Sequence, residues 1–146
     1  MWLGGRSVEI LATVYLQPDH DLSFQNVTFA ERDGIVVGMV SGFTAEQHRR
    51  SSIQPLRQAA GRWNAQFLIV SVLFAPFLRI IDTIEDGDFY LQAIAVGEKG
   101  RGAGVGSALM KLIEDRAIAT CAARLVLDVS AENRGARRFY ERRGFS

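Results

Sequence analysis

Gly97, Gly100, Gly102, Gly104 and Gly106 crowd the segment joining an apolar run at 89–96, F-Y-L-Q-A-I-A-V, to an amphipathic stretch at 105–119. No other feature constrains the fold of this chain as strongly. The first run reads as a buried strand, and in the second Val105, Ala108, Leu109, Leu112 and Ile113 recur at helical spacing. A glycine-rich junction between strand and helix lets backbone N–H groups turn toward one point, where the helix N-terminus adds partial positive charge. That arrangement suits a phosphate. A loop rich in glycine only for turning is the plainer alternative.

Spacing narrows the kind of phosphate. A Walker loop needs a Gly-Lys pair before Ser or Thr, and none follows here. The dinucleotide fingerprint G-x-G-x-x-G fails because these glycines alternate. An NAD-type dinucleotide domain still keeps one point, since Asp128 stands at the end of the next strand, where a ribose-binding acid would sit. That rival requires a parallel sheet with Gly104 at its first turn.

Around this junction the elements read in order. Residues 6–16 carry Val8, Leu11, Val14 and Tyr15 at helical spacing, ended by Pro18. A strand over 22–30 meets Asp33-Gly34, a tight hairpin signal, and returns as a strand over 35–43 that is apolar enough to be buried on both faces. Helices are expected over 53–60, capped by Ser51 or Ser52, and over 63–75, stopped by Pro76. An acidic cluster of Asp82, Glu85, Asp86 and Asp88 leads into the strand at 89–96. A further strand follows over 124–130, then a short basic helix over 134–143. The expectation is an α/β (α+β) chain with a mixed, strongly twisted central sheet flanked by helices.

At 146 residues the chain has the length of one domain, and no repeat or linker divides residues 1–146. Its 17 basic and 16 acidic side chains leave a net charge of +1, which does not advertise nucleic acid or an anionic membrane. The apolar run at 67–78 is too short for a spanning helix, which needs about 20 residues, and Pro76 interrupts it. Cys121 stands alone, and His20 and His48 have no cysteine nearby, so neither a metal site nor an internal disulfide is expected. The start lacks a signal peptide pattern, so a cytoplasmic protein is expected. The apolar run favours a homodimer among the oligomeric states.

The hexapeptide R-G-A-G-V-G, Arg101 to Gly106, matches the signature Gln/Arg-x-x-Gly-x-Gly/Ala of the GNAT superfamily of acyl-CoA-dependent N-acetyltransferases. The stretch N-R-G-A-R-R-F-Y-E-R-R-G-F at 133–145 resembles that family's closing motif, with Asn133, Ala136, Tyr140, Gly144 and Phe145 in register. The segment D-G-I-V-V-G at 33–38 is similar to its central hairpin. The resemblance is close over residues 88–146; elsewhere only the element order agrees. The family usually has a first strand before the opening helix and a last one after the Gly-Phe pair. Here the sequence opens almost directly with a helix and stops at Ser146, so the expectation is either a chain given in part or a sheet that a neighbouring molecule completes.

The resemblance implies a GNAT-like fold and an acetyl group moved from acetyl-CoA to a small-molecule or peptide amine by direct attack, without metal. The pantetheine arm would pair with the backbone of Ile94, Ala95 and Val96. The pyrophosphate would rest on the loop and helix start formed by Arg101, Gly102, Ala103, Gly104, Val105, Gly106 and Ser107. A backbone N–H near Val96 would polarise the thioester carbonyl. Tyr140 would protonate the departing thiolate, and Asn133 either touches pantetheine or caps the last helix. Freeing a lysine-like amine at pH 7 costs about 4–5 kcal/mol, and an α-amino group only about 1 kcal/mol. A base therefore matters most for side-chain amines. Asp128 is the first candidate and otherwise a plain strand-end acid; Glu85 and Asp88 come second. The basic face of Arg134, Arg137, Arg138, Arg142 and Arg143 is open between CoA's 3′-phosphate, an acidic partner and solvent. A non-catalytic acyl-CoA sensor is the other alternative.

Overall fold

The computed structural model describes residues 12–13, 15–51 and 84–146. Within the helix expected over 6–16, Ala12, Thr13 and Tyr15 are helical and Leu16 is a turn; residues 6–11 and 14 lie outside the described residues. So do the helices expected over 53–60 and 63–75, the apolar run at 67–78, and Asp82.

Strand β1 (Val27–Arg32) and strand β2 (Ile35–Thr44) form the expected hairpin, with Asp33 and Gly34 at φ 53° and 74° in the turn. Helix α1 (Ala45–Arg50) follows directly. Thr44 starts it with a reciprocal cap: its hydroxyl accepts from the Gln47 N–H at 3.1 Å, and its own N–H donates to Gln47 Oε1 at 2.8 Å. Strand β3 (Asp88–Val96) precedes helix α2 (Val105–Ala119), strand β4 (Arg124–Leu127) and helix α3 (Arg134–Glu141). The strand order is β1-β2-β3-β4, antiparallel except for the β3–β4 pair, which is parallel. This mixed sheet flanked by helices matches the expected fold class. A predominantly antiparallel ladder does not match the parallel sheet that a dinucleotide domain requires.

Three boundaries differ from the sequence pattern. Residues 24–26 form a turn of 3-10 helix, because the buried Ser23 accepts from the Gln25 N–H and bends the chain before β1 begins. Strand β4 ends at Leu127 rather than at 130, because β3 no longer runs beside it from there on. Helix α3 stops at Glu141, with Arg142 as its C-cap.

The core lies between the sheet and α2. Val37, Val40, Phe89 and Leu91 meet Val105, Leu109, Met110, Ile113 and Ala117, with Tyr140 from α3 at the margin. Met110 is fully buried and Ala108 is exposed, which corrects the helix face read from the pattern. Two residues turn the helix by about 200°, so Met110 and Ala108 stand nearly opposite each other. The other sheet face carries Phe43, fully buried, with its ring 5.5 Å from that of Tyr90 and stacked on His48 at 5.6 Å. His48 Nδ1 meets Asp21 Oδ2 at 2.7 Å.

Two features set how β3 and β4 lie together. At the start of both strands, buried Asp88 accepts from Arg124 Nε at 2.8 Å and from Arg124 Nη2 at 3.0 Å. The hydrogen bond from Arg124 holds the Asp88 carboxyl below its ordinary pKa against the opposing effect of burial. Four residues on, Ser41 pairs with Ala93 and Gly42 with Leu91, which leaves Gln92 as a bulge in β3. The last β3–β4 pair is Leu91 with Leu127. A bulge bends its strand and increases local twist, so β3 leaves β4 where Gln92 is inserted.

Candidate active site

The gap opened by this divergence is the floor of a cleft of about 700 Å³. One wall is the outer edge of β3 beyond the bulge. Residues 93–96 are paired to β2 on one side and, among the described residues, have no strand on the other, so backbone groups along that edge are available to a ligand. The opposite wall is Asp128, Val129 and Ser130 after β4, then Asn133, Ala136, Phe139, Tyr140 and Arg142 around α3. Gly100, Arg101, Gly102 and the first turn of α2 close the end.

The α2 N-terminus is built without a side-chain cap. Gly104 occupies the cap position at φ 77° and ψ 0°, and no acidic residue stands in the first turn. Only glycine takes that left-handed conformation at no steric cost. A Cβ at Gly104 would meet nothing within 4 Å, so the cleft begins directly above it. The first N–H groups of a helix lack intrahelical partners and sit at its positive end. The residues that carry them, Val105, Gly106 and Ser107, line the cleft with Arg101.

Of the residues expected in the site, Ile94, Val96, Arg101, Gly102, Gly104, Val105, Gly106, Ser107, Asp128, Asn133 and Tyr140 line this one cleft. Ala95 and Ala103 do not. Ala95 is opposite Met39 of β2, and the Ala103 N–H turns back to the Gly100 carbonyl at 3.4 Å. Asn133 caps α3, its Oδ1 accepting from the Ala136 N–H at 3.1 Å, which leaves its amide nitrogen for other partners. Tyr140 is buried, with edge-on ring contacts to Phe139 at 5.4 Å and Phe145 at 5.8 Å. Burial raises the pKa of its hydroxyl, so the group keeps its proton at neutral pH.

The second-choice carboxylates stand elsewhere. Asp88 and Glu85 both bind Arg124 at the far end of β3, and Asp86 pairs with Arg49. Asp128 is different: it lines the cleft and is exposed there. Its Oδ2 accepts a hydrogen bond from the Tyr90 hydroxyl at 3.0 Å. Burial first, then this bond, pushes the Tyr90 pKa up to about 12. Sequence reasoning missed Tyr90 because its partnership depends on strand register. Tyr90 pairs with Val126, and Asp128, two residues further on, projects from the same face. On the arginine face, Arg137 pairs with Glu141 and Arg143 with Glu114. Arg142 lines the cleft. Among the described residues no group of three metal-ligating side chains comes together, and no helix is long and apolar enough to cross a membrane.

A model of the acetyltransferase (GNAT) family matches residues 6–145. No curated protein matches the chain. Among solved structures, one described as an acetyltransferase is 24% identical with a TM-score of 0.68, over 99% of this chain and 72% of its own. An N-acetyltransferase from Staphylococcus aureus Mu50 is 15% identical with a TM-score of 0.64, over 99% of this chain and 73% of its own. An aminoglycoside N-acetyltransferase in complex with CoA is 15% identical with a TM-score of 0.53, over 82% of this chain and 66% of its own. At these identities the likeness is one of fold. The family match over 6–145 goes further: this chain belongs to the acetyltransferase (GNAT) family.

Proposed function

We propose that residues 1–146 act as one N-acetyltransferase domain that transfers an acetyl group from acetyl-CoA to a primary amine by direct attack. The observation that carries this reading is the cleft, in which a strand edge unpaired among the described residues and an uncapped helix N-terminus meet. The edge at Ile94 to Val96 offers backbone groups to the amides of the pantetheine arm. The N–H groups at Val105, Gly106 and Ser107, with Arg101, offer positive charge to the pyrophosphate. The adenosine phosphate then falls toward Arg142.

The chemistry asks for two proton movements. Asp128 takes a proton from the incoming ammonium, and the freed amine nitrogen attacks the thioester carbonyl carbon. A backbone N–H at the end of β3 stabilises the oxyanion as the C–N bond forms. As the C–S bond breaks, Tyr140 donates its proton to the sulfur, and the nitrogen's second proton restores the tyrosine. Even an unperturbed phenol near pKa 10 donating to a thiolate near 8.5 works against about 2 kcal/mol, and burial of Tyr140 adds to that, so the transfer must accompany charge development. The reading is tested by free-thiol release from acetyl-CoA with a panel of primary amines: a polyamine, an aminoglycoside and a lysine-containing peptide. Release that depends on one of these amines supports it. Acetyl-CoA binding without amine-dependent release would favour a sensor instead.

A further inference from the structure

The ionisable groups lining the cleft among the described residues are Arg101, Asp128, Tyr140 and Arg142. Arg101 and Arg142, with the α2 N-terminus, make the cleft attractive to anions. Asp128 is the one carboxylate on the lining, and it stands at the divergence of the strands rather than beside the glycine loop. The cleft is therefore polarised, with an anion-seeking end and a single acidic point.

We propose that Tyr90 is a positioning residue, which holds the Asp128 carboxylate through Oδ2 so that it meets the acceptor's ammonium group. The proposal rests on the transferase reading above, in which Asp128 receives the acceptor, and adds a residue that reading does not contain. Asp128 receives one hydrogen bond among the described residues, at Oδ2, and Oδ1 is left to accept from a ligand. A carboxylate has room for about four such bonds. Tyr90 is itself buried, is absent from the cleft lining, and is fixed by the Phe43 ring. It reaches the cleft only through Asp128. Because the phenol keeps its proton, it remains the donor of this pair and Asp128 the acceptor. Next to it the Ser41 hydroxyl donates to Gln92 Oε1 at 3.1 Å, holding the bulged residue on the cleft wall.

The test uses the full chain and the best acceptor from the amine panel. Tyr90→Phe keeps the ring and removes only the hydroxyl. The expected result is a rise of about tenfold or more in KM for the amine, with KM for acetyl-CoA within about threefold of wild type. Asp128→Asn, at an exposed position, raises the amine KM at least as much, and adding Tyr90→Phe to it produces no further rise. The acceptor's hydroxyl analogue, used as a competitive inhibitor, binds wild type and Asp128→Asn alike. An unchanged amine KM in Tyr90→Phe, additive losses in the double variant, or equal losses for both substrates would overturn the assignment while transfer itself stands. A wild-type chain that binds acetyl-CoA but acetylates none of the amines would overturn the transferase reading, and this proposal with it.

Discussion

Tyr140 lines the cleft and its ring packs against Phe139 and Phe145, so removing the oxygen leaves the packing of three rings in place. Tyr140→Phe is expected to lower kcat by about a hundredfold and to leave acetyl-CoA affinity within about threefold. Steady-state kinetics beside calorimetry separate the two; an unchanged kcat would remove the tyrosine from proton transfer. Gly104 makes a complementary case. A Cβ there meets no atom within 4 Å, and aspartate is both tolerated in left-handed backbone and favoured as a helix cap. Gly104→Asp should therefore remain folded while placing a carboxylate where a pyrophosphate would rest. Like charges in contact cost several kcal/mol, so acetyl-CoA affinity is expected to fall by more than about a hundredfold, measured by calorimetry. Unchanged affinity would move the phosphate away from this loop.

At the scale of elements, the divergence of β3 from β4 is set by the ion pair at one end and the bulge at the other. Asp88 has a folded-state pKa below its unfolded value near 3.8 because of Arg124. Its contribution is therefore full above the unfolded pKa and is lost as pH falls through the lower folded value. Denaturant midpoints of wild type are expected to drop on acidification below about pH 4, and Asp88→Asn should flatten that part of the profile. Gly42 leaves no room for a side chain against β3: a Cβ there would lie 2.7 Å from Phe89 Cε1 and 2.8 Å from the Tyr90 carbonyl oxygen. Gly42→Ala is expected to cost about 1–3 kcal/mol in a denaturant titration, through overpacking. The hairpin at Asp33-Gly34 and the helix at Val105–Ala119 were legible in the sequence because local turn chemistry and helical periodicity specify them. The end of β4 was not, since Leu127 is its last residue only because Gln92 bends the neighbouring strand. The buried face of α2 was only partly legible, because residue spacing leaves the rotation of the stripe free until Met110 meets the sheet.

For the whole molecule, the cleft gathers residues from the strand edge, the glycine loop, the segment after β4 and the last helix. Motif spacing brought most of them together in advance, because the glycine loop and the Asn133 to Phe145 stretch each have a recognisable pattern. Tyr90 could not be found that way, since its link to Asp128 exists only once two strands separated by a helix lie in register. Ala95 and Ala103 fall outside the lining for a related reason: contiguous motifs name every residue, whereas backbone geometry turns some of them away. The central claim is that this cleft binds acetyl-CoA. Calorimetric titration of the full chain with acetyl-CoA, with NAD as control ligand, tests it most directly. Micromolar binding of acetyl-CoA with no heat from NAD is the predicted result; a folded chain that binds neither, or that binds NAD alone, would contradict it.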